Sequence, residues 1–162
     1  MTFLALDVLK PLSSEELDWV INNARRENLT PSAVLLKEGT LTDSIYFIVN
    51  GLFEILVRDA NGREQRLGQC GPGQIIGETS WLNELPAIAT VRAIENSTVL
   101  SLSTSILDQK LASDTTFALH FYKALARLQS ERLREAVPLI ANLRRRIRDD
   151  DVIRFPPRSA RA

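Results

Sequence analysis

The stretch from Gly71 to Val91, GPGQIIGETSWLNELPAIATV, holds the residue types best suited to chemistry. Two glycine turns lead into Gly77-Glu78, a short helical segment follows, and Pro86 precedes the β-branched pair Thr90-Val91. Backbone amides around Thr79 and Ser80, at a helix start, make a seat for an anion. The Glu78 carboxylate beside them suits a hydroxyl donor such as a sugar. Together these groups would hold a sugar phosphate. Other chemistries find less to work with. The chain has one histidine, His120, and one cysteine, Cys70. No Ser/His/Asp or Cys/His catalytic set can be assembled from them. A metal-oxygenase site needs about two or three histidines and a carboxylate. The expectation is no enzyme, no metal and no tightly held cofactor.

The stretch resembles the phosphate-binding cassette of cyclic-nucleotide-binding domains, the β-roll module of catabolite-activator-type regulators, cyclic-nucleotide-dependent kinases and gated channels. In that family a Gly-Glu pair opens the cassette, and its Glu takes the ribose 2′-hydroxyl. A Pro-Arg-Ala-(Ala/Ser)-(Thr/Ser)-Val run closes it, and its Arg pairs with the cyclic phosphate. Gly77 and Glu78 match the first half; Pro86, Ala89, Thr90 and Val91 match the second. The arginine position holds Ala87, followed by Ile88. The resemblance therefore implies a degenerate ligand site made of Gly77, Glu78, Thr79, Ser80, Ala87, Ile88, Ala89 and Thr90. A bidentate Arg–phosphate contact in a partly buried pocket contributes on the order of 2–4 kcal/mol, so its loss weakens a nucleotide roughly 30- to 1000-fold. Arg92 is not expected to stand in for it, and Ser130 is no clear match for the family's adenine clamp. Trp81, inside the cassette, is expected to plug part of the pocket.

The elements that must position this stretch follow from periodicity. Ser13 and Glu16 form a capping box, and Leu12 with Leu17 has staple spacing. Leu17, Val20, Ile21 and Ala24 recur at helical spacing, predicting one helix up to about Asn28. From Pro31 to Leu102 short β-branched runs alternate with turn residues about every ten positions, which reads as a sandwich or barrel. Asn61-Gly62 is the strongest two-residue hairpin signal. The run LLKEGTLTDSIYFIVNGLFEIL also resembles the family's Glu-Gly…Tyr-Phe-Ile-x-x-Gly pattern, so the resemblance spans residues 4–135.

A short helix capped by Ser105 and a long one from Ser113 or Asp114 to Val137 follow. Phe117, Phe121, Ala124, Leu125 and Leu128 share one apolar face of the long helix. A second stripe, Leu119, Tyr122, Ala126, Leu133, Ala136 and Ile140, calls for a partner, and in the resembled family this helix makes the dimer. The expected interface is Leu119, Tyr122, Ala126, Leu133 and Ala136.

The fold class expected is mainly β with flanking α: a double-stranded β-helix, or jelly roll, with a short N-terminal helix and a long C-terminal dimerisation helix. A domain over 1–137 divides into an N-terminal helix (4–28), a β-roll (31–103) and C-terminal helices (105–137). Residues 138–162 form a basic/acidic tail, expected to be partly disordered.

Net charge is zero overall but uneven. Residues 1–122 carry 9 basic and 15 acidic side chains, residues 123–162 carry 11 and 5. An acidic body with a basic helical tail can bind its own kind or an acidic partner. The run Arg144 to Arg148 is followed at once by Asp149-Asp150-Asp151, which favours a solvated, self-neutralised helix end over a phosphate-backbone contact. The 25 residues after Val137 hold no helix-turn-helix, so no DNA-binding head is expected. A single cysteine, no basic start to the first apolar run and no run of about 20 apolar residues predict a cytoplasmic chain without a membrane span.

Three functions compete. The first is a non-catalytic regulatory module, acting as a dimeric protein-binding adaptor with a degenerate cassette. The second is a genuine cyclic-AMP or cyclic-GMP sensor that binds through backbone amides and Glu78. The third is a nucleic-acid-binding regulator.

Overall fold

The computed structural model describes residues 7–146. A 3-10 turn, Asp7–Leu9, leads into helix α1, Ser14–Asn23. Eight strands follow: β1 Arg25–Leu29, β2 Val34–Leu36, β3 Ser44–Asn50, β4 Phe53–Arg58, β5 Glu64–Cys70, β6 Ile75–Ile76, β7 Thr90–Ala93 and β8 Ser97–Ser103. Helix α2, Glu78–Asn83, lies between β6 and β7; α3, Thr104–Ser113, and α4, Thr115–Arg146, close the described chain. It divides into two units, residues 1–126 and 127–162.

In the first unit the strands form two antiparallel four-stranded sheets, ordered β1-β8-β3-β6 and β2-β7-β4-β5. Their facing sides supply one core cluster: Ile48, Ile76 and Val99 from the first sheet, Phe53, Cys70, Val91 and Ala93 from the second. Central strand β8 is buried from Ser97 to Leu102 except at Thr98, because α1 and α3 pack against it as well. This is the jelly-roll architecture expected, with Cys70 a small core residue.

Three expectations are corrected. The first helix stops at Asn23 rather than Asn28, since Ala24 turns extended (φ −89°, ψ 143°) and Arg25–Leu29 pairs along β8 from Ser101 to Ser97. The helical spacing of 17–24 simply does not continue into that exposed, charged strand. The hairpin at Asn61-Gly62 is not a two-residue turn. Gly62 alone has positive φ (76°), and Asp59 anchors the loop by accepting from the Asn61 and Arg63 amides at 2.8 and 2.9 Å. The long helix does not end before Pro138: α4 carries that proline inside and continues to Arg146. Proline forfeits one backbone hydrogen bond and strains the preceding turn, and the helix here tolerates both. Expectations for residues 4–6 and 147–162 lie outside the described residues.

The capping box is as expected: the Ser13 amide donates to Glu16 at 2.6 Å and the Glu16 amide to the Ser13 hydroxyl at 3.3 Å. Glu16 has a second task. His120 on α4 places Nδ1 2.9 Å from Glu16 Oε2, joining the first and last helices of this unit. Burial opposes ionisation of Glu16, but the Ser13 amide and His120 outweigh it and hold the carboxyl below its usual value. A carboxyl depressed in the folded state binds fewer protons there than when unfolded. Its contribution is therefore complete above the unfolded carboxylate value and disappears as pH falls through the folded one. Glu16→Gln, which keeps the capping acceptor but not the charge, is expected to be less stable than wild type at pH 7. The gap should narrow as pH falls below the ordinary carboxylate range in parallel denaturant melts; a pH-independent gap would show that the charge contributes nothing.

Candidate functional site: the cassette around α2

Gly77 ends β6 in a left-handed conformation (φ 91°) and serves as N-cap of α2. A Cβ there would lie 3.0 Å from the Ser44 carbonyl oxygen, so both conformation and space require glycine. This turn places Glu78 as the first helical residue, only 2% exposed. The Thr79 hydroxyl donates to Glu78 Oε1 at 3.0 Å. Ser80 is also buried, and its hydroxyl donates to the Leu85 carbonyl, folding the end of the short helix back on itself. The first half of the predicted site is thus assembled on one helical turn.

The second half lies on the segment that leads into β7 and on its first residue. Ala87 is 6% exposed and its backbone is fixed on both sides: its carbonyl accepts from the Gly39 amide and its amide donates to the Thr40 carbonyl, each at 2.8 Å. A methyl group therefore stands in a well-defined, buried position. Ile88 is the opposite, at 76% exposed. Ala89 is half-buried, and the Thr90 hydroxyl accepts from the Glu38 amide at 3.0 Å. That hydroxyl is engaged in joining β7 to the strand-2 turn.

Arg92 shares a face of β7 with Thr90, while Val91 and Ala93 enter the core. Its guanidinium is held by Glu54 at 2.8 Å and Glu64 at 3.1 Å. These carboxylates raise its pKa, the Glu54 hydrogen bond most. It is committed to the outside of the second sheet.

The Trp81 ring turns toward α3 and α4. Nε1 donates to Asp108 Oδ1 on α3 at 2.9 Å, and the ring meets Phe121 edge-on and lies parallel to Tyr122, with centroids 6.2 and 6.3 Å away. An indole carries a large apolar body and one donor, so a partner for that donor decides its orientation. Spacing alone could not show that Asp108, 27 residues on, supplies it.

On α4, Phe117, Phe121, Ala124 and Leu125 are buried, and so is Leu128. Of the predicted interface, Leu119, Tyr122 and Ala126 are exposed in the first unit. In the second unit Leu133 is exposed and Ala136 half-exposed. Among the described residues no three His, Cys, Asp or Glu side chains gather as metal ligands, and no helix is long and apolar enough to cross a membrane.

The comparisons agree with this geometry. The profile of the cyclic nucleotide-binding domain matches residues 26–114, from β1 to the residue before α4. The chain belongs to the cyclic nucleotide-binding domain family. An uncharacterised ABC transporter ATP-binding protein of Mycobacterium tuberculosis is 33% identical over 99 residues, covering 61% of this chain and 30% of that protein. The cyclic AMP receptor protein of Thermus thermophilus is 29% identical over 125 residues, covering 77% of this chain and 56% of that one. A crystallised cyclic nucleotide-binding domain from Methylobacillus flagellatus superposes with a TM-score of 0.77 at 22% identity, over 96% of this chain and 86% of that one. The chain thus spans under a third of the first relative and little more than half of the second. As a member of this family it has a regulatory, cyclic nucleotide-binding fold.

Proposed function

We propose that this cyclic nucleotide-binding domain is a non-catalytic regulatory module whose cassette has lost its phosphate clamp, and that it works as a dimeric adaptor for a cytoplasmic protein partner. Ala87 carries the reading. At the position where the family's arginine meets the cyclic phosphate stands a buried methyl, pinned through its backbone to Gly39 and Thr40. Thr90 is engaged with Glu38, and Arg92 is engaged with Glu54 and Glu64. Burying a phosphate without a compensating cation costs several kcal/mol. The exposed side chains of Leu119 and Ala126 in the first unit and Leu133 in the second support the dimer, as apolar groups left uncovered do; Tyr122 is exposed as well but rests one face on Trp81, and Ala136 is half-exposed.

A second reading, a cyclic-nucleotide sensor, is favoured by one observation: the Gly77-Glu78 half of the cassette is intact, with Glu78 buried beside the Thr79 hydroxyl. Calorimetric titration with cyclic AMP and cyclic GMP separates the two. The wild type is expected not to bind at micromolar concentration. Ala87→Arg is expected to gain roughly 30- to 1000-fold in affinity, the worth of one charge-assisted bidentate contact. Micromolar binding by the wild type would replace the adaptor with the sensor. Sedimentation equilibrium of Leu119→Glu tests the dimer: a wild type that is monomeric at tens of micromolar would remove it.

A further inference from the structure

Helix α2 borders a cavity of about 440 Å³, within the range that holds small ligands. It belongs wholly to the first unit, and its chemistry differs from that of a phosphate seat. One wall is aromatic: Trp81 and Tyr122 lie parallel within 8°. Two carboxylates, Glu84 at the end of α2 and Asp108 on α3, line it together with the aliphatic chains of Leu41 and Leu82. No lysine, arginine or histidine is among the lining residues. Acidic groups beside aromatic faces repel an anion and attract a cation. A compact metal ion would find two carboxylates and an apolar wall, too few oxygens for a hard cation.

Glu84 adds a separate observation. It occupies the left-handed region (φ 53°, ψ 36°) as C-cap of α2, a position that favours glycine or asparagine, and asparagine stands one residue earlier. Its side chain nonetheless lines the cavity.

We propose that this cavity binds a guanidinium group on an aliphatic stem. A planar, delocalised cation stacks on indole and phenol rings, and its fork of donors pairs with a carboxylate. Asp108 Oδ1 already accepts from Trp81 Nε1, which fixes the carboxylate against the aromatic wall and leaves its second oxygen to receive the guanidinium. Leu41 and Leu82 then cover the methylene stem. The source is either a small free guanidine or the arginine side chain of a partner protein. The site adjoins the cassette through Ser80, which lines this cavity and also belongs to the expected phosphate seat.

Calorimetric titration of the wild type uses three probes: butylguanidine, the blocked tripeptide acetyl-Gly-Arg-Gly-amide, and the neutral isostere butylurea. Saturable binding is expected for one or both guanidinium probes, at least tenfold tighter than for butylurea. Butylguanidine alone binding identifies a small-molecule site; tighter binding by the tripeptide identifies an arginine of a protein partner. Asp108→Asn keeps the acceptor for Trp81 and removes the charge, so it is expected to weaken the guanidinium probes about tenfold with little change in the melting temperature. Glu84→Gly is expected to raise the melting temperature while weakening the same probes. No saturation by 20 mM, equal affinity for butylurea, or indifference to Asp108→Asn would each overturn the assignment.

Discussion

Gly51→Ala is expected to destabilise the fold by about 3–5 kcal/mol, a large share of the roughly 5–15 kcal/mol that holds a domain of this size. Two costs add at this residue. Gly51 has φ of 95°, and a Cβ built there would lie 2.0 Å from the Ser97 Oγ, 2.5 Å from its Cβ and 2.7 Å from its Cα. The last of these is backbone of β8, the strand that holds β1 and β3 together, so no rotamer change relieves it. Gly62 separates the two costs. Its φ is 76°, yet nothing lies within 4 Å of an added Cβ, so Gly62→Ala should lose only about 1 kcal/mol of conformational strain. Denaturant melts of both variants, with Ser97→Gly added to Gly51→Ala, give the test. The second substitution removes the two shortest collisions and should recover part of the loss. If Gly51→Ala costs no more than Gly62→Ala, the crossing of the β3–β4 turn over β8 is not close-packed.

The residues that were legible in the sequence are those whose conformation is local. Ser13 and Glu16 cap a helix because they are three positions apart, and the Gly77-Glu78 turn is fixed by a glycine φ and a helix start. Apolar runs between turn residues mark where β3 and β4 fall but not which face is dry: Ile45, Phe47 and Ile48 are all fully buried, and in β4 the buried pair is Phe53 and Leu56, separated by an irregularity after Ile55. What was not legible depends on distant groups. Arg25–Leu29 becomes a strand only because β8 offers its edge seventy residues later. Trp81 faces the helices because Asp108 receives its indole proton, and Glu16 reaches His120 across 104 positions. Pro138 reads as a stop on propensity alone, yet a helix with enough flanking turns accommodates one. The cavity beside α2 was invisible for the same reason: its lining comes from the strand-2 turn, α2, α3 and α4, and no two of those segments share a recognisable spacing.

Phe117→Ala is expected to cost about 3–5 kcal/mol, the usual range for truncating a buried aromatic. Phe117 is fully buried at the start of α4, where α1, α3 and α4 of the first unit meet. Trp19 of α1 meets its ring edge-on at 5.2 Å, and Phe121, one turn along, stacks at 5.6 Å. The Lys110 ammonium of α3 lies 5.3 Å from its centroid and 5.4 Å from that of Trp19, held by Asp114 at 2.8 Å. The Phe117 amide donates to that same Asp114, whose pKa is lowered first by Lys110 and then by this amide. Rigid rings on two sides cannot collapse into the space an alanine leaves, so the cavity term stays large. Phe117→Leu fills most of it and should cost roughly 1–1.5 kcal/mol. The comparison bears on function as well as stability. Phe117 seats the helix that presents Leu119 and Tyr122, so its loss should alter Trp19 emission below the global melt and weaken self-association at the same time. A Phe117→Ala variant within about 1.5 kcal/mol of wild type would mean that the helical layer is plastic. It could not then hold the aromatic wall of Trp81 and Tyr122 in place.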